Sequence, residues 1–159
     1  MTEIDHYPPL FFDELIFLDQ DFEDADAFFE FIFPILYRHG FVKSTFLAAI
    51  KAREQLYPTA LPTQPYVVAL PHTDIEHIRQ PFISVTRVKG SVPWHEMANN
   101  DQILPASFIF LLGFMEKDGH IVLLQTLLSC LSDGTFLEQL QQAKKPSQLM
   151  NLLRTNVKF

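Results

Sequence analysis

Histidine is the residue type through which this sequence could most readily do chemistry, because imidazole serves near neutral pH as nucleophile, acid–base group or metal ligand. His72 stands out because it follows Pro71 and the continuous apolar run 66–70, which predicts a strand covered on both faces. Open α/β sheets bind ligands beyond the carboxyl ends of their strands. The position of His72 thus indicates a functional side chain, although it also fits an exposed turn histidine. Four other histidines have structural explanations in the N-terminal leader, at a helix end or in polar turns: His6, His39, His77 and His95.

A metal site is the first alternative, because four potential ligands lie within six residues: His72, Asp74, Glu76 and His77. The two histidines are five residues apart, a spacing that would place them on diverging faces of a helix. No HExxH pairing occurs in the chain. The sequence therefore favours chemistry without a metal, and a metal-dependent hydrolase is kept as the weaker alternative.

Other catalytic motifs are missing from the sequence. It contains no GxGxxG, GxxxxGK[ST] or GxSxG pattern, and five glycines leave little material for a phosphate-binding loop. The single cysteine, Cys130, excludes an internal disulfide framework and a cysteine-based zinc cluster. Because it lies among Leu127, Leu128 and Leu131, it is interpreted as a small buried hydrophobe and not as a reactive thiol.

The charge of the chain is unevenly distributed. The net charge is −7, but residues 1–37 hold ten of the nineteen acids and no Lys or Arg, which leaves nine acids against twelve bases in residues 38–159. This balance argues against nucleic acid or an anionic membrane as partner, whereas the mildly basic body could receive a small anion. The sequence shows no signal-peptide pattern and no apolar run long enough to span a bilayer, so a cytoplasmic protein without membrane insertion is expected.

The apolar periodicity predicts the elements that would position His72. Strands are expected at 15–18, 66–70, 82–89 and 106–115, with 92–94 as a short edge segment. Helices are expected at about 23–38, with a kink or early break at Pro34, and at 45–57, capped by Ser44. Further helices begin after 117–119, at Asp133 and at Pro146. The pattern predicts one α/β domain over residues 1–159, with residues 1–9 extended, strands 66–70 and 106–115 central in a mixed sheet, and helices on both faces.

Several segments in this order resemble a known family. The carrying residues are Arg53-Glu54, Tyr57-Pro58-Thr59 and the run Val67-Val68-Ala69-Leu70-Pro71-His72-Thr73-Asp74. Downstream, the strand Phe108 to Phe114 is followed by His120 at the start of a leucine-rich helix. Together they resemble the IIA components of the bacterial sugar phosphotransferase system, within the mannitol/fructose superfamily and its galactitol-type branch. The resemblance covers about residues 10–155.

The resemblance implies a phosphocarrier. A phosphoryl group would arrive from the carrier protein HPr, be held on His72, and pass to a cysteine of a IIB component, with a membrane IIC component taking up the sugar. A regulatory interaction module of the same fold is the alternative. Neutral imidazole, with an ordinary pKa of about 6.5, is a competent nucleophile at neutral pH, so no metal or other cofactor is required.

The resemblance also implies roles for three residues around His72. Arg53 would hold the phosphate with its fork of donors, and Thr73 would add a hydroxyl or backbone N–H. His120 would face His72 from a helix N-terminus and donate a hydrogen bond to the phosphate without being phosphorylated itself. Without the resemblance, Arg53 fits a solvated arginine paired with a nearby acid, and His120 fits a solvent-facing helix residue.

Overall fold

The computed structural model describes residues 9–115 and 117–158, with the backbone alone for 117–120, and the predicted leader therefore falls almost wholly outside the described residues. Within the described residues, five strands form one sheet. They are β1 (Ile16–Gln20), β2 (Ala60–Leu61), β3 (Val67–Ala69), β4 (Phe82–His95) and β5 (Ile103–Gly113). The helices are α1 (Ala25–Arg38), α2 (Phe46–Leu56), α3 (Lys117–Leu131), α4 (Gly134–Gln142) and α5 (Pro146–Asn156).

The sheet is mixed, with strand order β1-β4-β5-β3-β2. β4 and β5 form a long antiparallel pair in its middle, β1 runs parallel to β4, and β3 runs parallel to β5. β2 closes the sheet by antiparallel pairing with β3. The predicted positions of the two apolar strands are therefore confirmed, since β5 is the middle strand and β3 lies between β5 and the edge strand β2. Because β3 and β5 are parallel, their carboxyl ends lie at the same edge of the sheet.

Helices cover both faces of the sheet, which confirms the predicted fold class. α1 and α2 pack on one face and α3, α4 and α5 on the other. Successive residues of β5 belong to the two layers in turn: Phe110 packs with α3–α5, whereas Leu111 packs with α1 and α2. Both side chains are fully buried. A strand that is covered on both faces requires apolar residues at every position, which is why its sequence shows no alternation.

Two helix predictions need correction. α1 continues through Pro34 to Arg38 without an early break, because Ile32 and Leu36, fully buried, hold the helix on the sheet while Pro34 lies on the exposed side. The second helix starts at Phe46 with Thr45, not Ser44, as its N-cap residue. The predicted Asp133 cap and the Pro146 start are confirmed.

The segment 92–94 is not a separate edge segment but the continuation of β4. A bulge between Arg87 and Val92, with Gly90 at a φ of 76°, allows the strand to cross a break in register and continue to His95. Pro93 lies opposite Pro105 of β5. Since neither proline has an N–H to donate, this position carries no hydrogen bond between the two residues, and the strand tolerates both prolines.

No single helix in the described part of the chain is long and apolar enough to cross a membrane, and only the segments Ile121–Leu131 and Gly134–Gln142, bent by 79° at their junction, reach that length and composition together.

Candidate functional site

His72 lies where the chain leaves the sheet at the carboxyl end of β3. It forms an isolated parallel bridge with Leu112 of β5, and the Leu112 N–H donates to the carbonyl oxygen of Pro71 at 3.0 Å. Leu70 is fully buried in the core just before it. The backbone of His72 is therefore fixed to the central strand, while its side chain is half-buried.

The imidazole of His72 has a defined orientation and tautomer. Its Nδ1 lies 2.8 Å from the carbonyl oxygen of Leu70. A carbonyl oxygen can only accept, so Nδ1 carries the proton and donates, and the lone pair of the neutral ring is on Nε2. The ring also packs against Phe114, with ring centroids 6.3 Å apart. In the neutral form of this tautomer, the nucleophilic atom is Nε2.

Arg53, in the last turn of α2, lies beside the segment that follows His72. Its Nη1 is 3.7 Å from Oδ1 of Asp74, and its guanidinium carbon lies 4.9 Å from the centroid of the Tyr57 ring. Its Nε is buried and has no hydrogen-bond partner among the described residues. The side chain remains 37% exposed, so a ligand can reach it. The acid that pairs with Arg53 thus comes from the His72 segment.

Glu54, next to Arg53, has a buried carboxylate that accepts three hydrogen bonds. Thr59 donates its N–H to Oε2 and its hydroxyl to Oε1, both at 2.8 Å, and the Trp94 indole N–H donates to Oε2 at 2.9 Å. Burial raises the pKa of Glu54 from 4.5 to about 7, while these hydrogen bonds and the charge of Arg53 act in the opposite direction. The network joins α2 to β4 and to the chain entering β2, and it fixes the end of the helix that carries Arg53.

Sequence reasoning gave Glu54 no role, although a signal was present. Phe46, Ile50 and Glu54 are spaced by four residues, and all three are buried. Residues four apart share a face of a helix, so an acid that continues an apolar stripe is expected to be buried and hydrogen-bonded.

The two remaining predicted site residues lie near the same edge of the sheet. Thr73 follows His72 directly and is buried. His120 belongs to the first turn of α3, which begins four residues after β5 ends. Since β3 and β5 are parallel, this helix starts at the edge where His72 lies. The side chain of His120 lies outside the described residues, so its direction and its contact with phosphate stay predictions.

Three other histidines and the cysteine have local partners, whereas His6 lies outside the described residues. Nδ1 of His39 is 2.8 Å from the carbonyl oxygen of Ile35, Nδ1 of His95 is 2.7 Å from that of Asn100, and Nδ1 of His77 is 2.8 Å from the Thr45 hydroxyl. Across the described residues, no group of three His, Cys, Asp or Glu side chains is placed to share a metal ion. The half-buried Cys130 donates to a backbone carbonyl, and burial raises the pKa of its thiol, which disfavours the reactive thiolate.

The fold is shared with solved IIA structures. A chain in the complex of enzyme IIAMTL and phosphorylated enzyme IIBMTL from Escherichia coli is 22% identical, with 92% of this chain and 99% of that chain covered and a TM-score of 0.74. The nitrogen regulatory protein IIA-Ntr from Neisseria meningitidis is 23% identical, with 91% and 96% covered and a TM-score of 0.74. At these identities the likeness shows the fold alone: an α/β fold found in IIA proteins.

The family follows from the sequence comparison. The family described as phosphoenolpyruvate-dependent sugar phosphotransferase system, EIIA 2, matches residues 9–156, and the chain belongs to it. The resemblance to IIA components is thereby confirmed. Multiphosphoryl transfer protein 1 of Escherichia coli (strain K12) is 27% identical over 154 residues, which are 95% of this chain and 18% of that protein. The chain thus spans less than a fifth of this curated relative's length. Its placement in the galactitol-type branch stays a prediction.

Proposed function

We propose that the chain is a phosphocarrier in which His72 accepts a phosphoryl group from phosphorylated HPr and passes it to a cysteine of a IIB component. The observation that carries the proposal is the hydrogen bond from His72 Nδ1 to the Leu70 carbonyl at the carboxyl end of β3. It fixes, at the sheet edge, the tautomer whose neutral form has its lone pair on Nε2. Membership in the IIA family supplies the reaction class. Residues 1–159 would act as one IIA unit in the cytoplasm.

The proposed chemistry is two successive phosphoryl transfers. In the first, the Nε2 lone pair of His72 attacks the phosphorus of the donor's phosphohistidine; the new P–N bond forms as the old one breaks, and its electron pair returns to the donor ring. In the second, the partner's thiolate attacks the phosphorus, and the P–N bond electrons return to Nε2. The proton on Nδ1 stays in its hydrogen bond to Leu70 throughout. Catalysis then consists of positioning and charge stabilisation.

Arg53, Thr73 and His120 are proposed to stabilise the transferring group. Arg53 already lies at the His72 segment, with a buried Nε that has no hydrogen-bond partner among the described residues. A guanidinium matches the oxygens of a phosphoryl group with two parallel donors. Thr73 would donate from its hydroxyl or its N–H. The backbone of His120 lies at the N-terminus of α3, where anions are favoured.

The partners are inferred from the family. The matched IIA structure was determined in a complex with a phosphorylated IIB enzyme, which supports a IIB component as acceptor here. HPr as donor and a membrane IIC component for the sugar complete the proposal. A regulatory module is the second candidate, favoured by the equal fold similarity to the nitrogen regulatory protein. Transfer from the phosphorylated chain to a IIB cysteine supports the first candidate, and its absence favours the second.

The decisive experiment is incubation with phosphoenolpyruvate, enzyme I and HPr, followed by intact-mass measurement. The wild type should gain one phosphoryl group that is acid-labile and base-stable, and nitrogen NMR should place it on Nε2 of His72. His72→Ala should gain none. His95→Ala is the matched control, because its Nδ1 also bonds a carbonyl oxygen but lies away from the end of β3. Phosphate uptake by His72→Ala, or its loss in His95→Ala, would contradict the assignment.

A further inference from the structure

Arg53 is oriented but loosely held. Its one ion pair among the described residues joins Nη1 to Asp74 at 3.7 Å, which is longer than the distance of about 2.8 Å in a charge-assisted hydrogen bond. The Tyr57 ring lies against the guanidinium, and the buried Nε has no described partner. The position of the guanidinium is therefore fixed while some of its five N–H donors have no hydrogen-bond acceptor among the described residues.

Asp74 is placed to compete with an anion on His72. It follows His72 by two residues, a span of at most about 7 Å between their Cα atoms. It precedes the short helical turn Ile75–His77, but its carboxylate makes no capping hydrogen bond there. Its side chain is 67% exposed. Its described contact is thus with Arg53, and water can take over that contact at little cost.

We propose that Asp74 is a positioning residue that holds Arg53 before phosphorylation and releases it to the phosphoryl group on His72. The inference rests on the proposed phosphocarrier function. A phosphoryl group carries more negative charge than a carboxylate and binds a guanidinium through two oxygens, so it displaces Asp74. The displaced carboxylate stays beside the phosphoryl group and repels it.

Both effects of Asp74 act in the same direction on the phosphorylation equilibrium. The ion pair with Arg53 stabilises the unphosphorylated protein, and the repulsion destabilises the phosphorylated one. Removing the charge of Asp74 should therefore favour phosphohistidine and retard its onward transfer. An exposed ion pair of this kind corresponds to a change of about two- to fivefold in an equilibrium constant.

The test measures the equilibrium of Asp74→Asn with HPr. The phosphorylated fraction is determined by intact mass at fixed ratios of phosphorylated to unphosphorylated HPr, with thermal unfolding checked in parallel. Asp74→Asn should raise the equilibrium constant by about two- to fivefold, less so at high salt, because exposed charges are screened. Glu76→Gln is the matched control, since it removes the same charge from an exposed residue of the same turn. It should leave the constant unchanged.

Asp74→Asn and Glu76→Gln are also measured in an Arg53→Gln background. This comparison separates the effect of the Arg53–Asp74 ion pair from the repulsion between Asp74 and the phosphoryl group. If Asp74 acts by occupying Arg53, the effect of Asp74→Asn should shrink in that background; an undiminished effect would overturn the proposal. An unchanged or lowered equilibrium constant for Asp74→Asn would overturn the proposal as well. If the wild type is phosphorylated in the same experiment, the proposed phosphocarrier function still stands. A wild type that takes up no phosphate would instead overturn the proposed function and this inference with it.

Discussion

Glu54→Gln should stabilise the protein above neutral pH, although it alters a buried residue with three hydrogen bonds. An acid whose pKa is raised in the folded state binds its proton more tightly there than in the unfolded chain. The free energy of unfolding therefore falls as the pH rises from 4.5 to about 7, the two pKa values of Glu54. At about 1.4 kcal/mol for each pKa unit, the full loss has an upper limit of about 3 to 4 kcal/mol.

Glutamine can replace the protonated acid without losing its hydrogen bonds. With its oxygen at the position of Oε2, it accepts from the Thr59 N–H and the Trp94 indole. Its NH₂ then replaces Oε1 and donates to the Thr59 hydroxyl, which turns to accept. Alanine at the same position would remove the acceptor of both Thr59 donors and leave the Trp94 indole N–H only its 3.2 Å contact with the Thr59 hydroxyl, which should destabilise the protein by about 2 to 3 kcal/mol at any pH.

Trp94 makes this prediction directly measurable. It is the only tryptophan of the chain, and its indole N–H bonds the carboxylate in question. Urea unfolding followed by Trp94 fluorescence at pH 5 and pH 8 should show a Glu54→Gln advantage that grows with pH toward about 3 to 4 kcal/mol. A fluorescence titration of the folded wild type should show a step near pH 7 that the variant lacks.

The control is Glu138→Gln, an exposed acid that accepts one hydrogen bond from the Tyr66 hydroxyl. It makes the same charge change but keeps Glu54 and Trp94, so it should retain the fluorescence step near pH 7 and show no advantage over the wild type that grows with pH. The reasoning is refuted if the difference between Glu54→Gln and wild type does not depend on pH, or if the variant becomes relatively less stable at pH 8. The first result would mean that the three hydrogen bonds balance the burial of the charge, and the second that they outweigh it.

Three further changes test the sheet edge and the proposed site. Gly113→Ala should destabilise the protein by about 1 to 3 kcal/mol in urea unfolding, because its Cβ would overlap the fully buried ring of Phe82; an unchanged midpoint would contradict this packing. Arg53→Ala should slow both phosphoryl acceptance and onward transfer by about 10- to 100-fold in quenched-flow assays, with little change in unfolding free energy; unchanged rates would return it to an ordinary surface arginine. His120→Ala should still be labelled from HPr but pass the group poorly to IIB, whereas wild-type behaviour or a label on His120 itself would exclude its predicted role.

The elements of this fold were predictable because their signals are local. The apolar runs that became β3 and β5 lack alternation, and that property of adjacent residues depends only on burial of both faces. The Asp133 cap and the Pro146 start were found for the same reason, since the Asp133 capping bond spans two residues and a proline favours the first helical turn through its own fixed φ. His72 was singled out by its place after such a run. The family resemblance came from short segments of adjacent residues, each recognisable by itself.

Contacts between elements were decided by the tertiary structure. Glu54 contacts Trp94 across 40 residues, and no spacing rule connects a helix residue with a strand that lies beyond two other strands and a short helical turn. Arg87, which falls within the predicted strand 82–89, is buried, pairs with Asp19 and donates to three carbonyl groups at the end of α4. A long arginine side chain can either extend into solvent or lie along the protein interior, and the packing of its neighbours decides which of the two occurs.

The same division holds at the site. The sequence by itself determined that a histidine follows a buried strand and that an arginine ends the preceding helix. It could not determine that Arg53 pairs with Asp74 and packs on Tyr57, nor that Nδ1 of His72 donates to Leu70. Those facts depend on the angle at which α2 meets the sheet and on the rotamer of the ring. Both are set by the packing of many distant side chains, since the helix ends of this fold are positioned by the whole core.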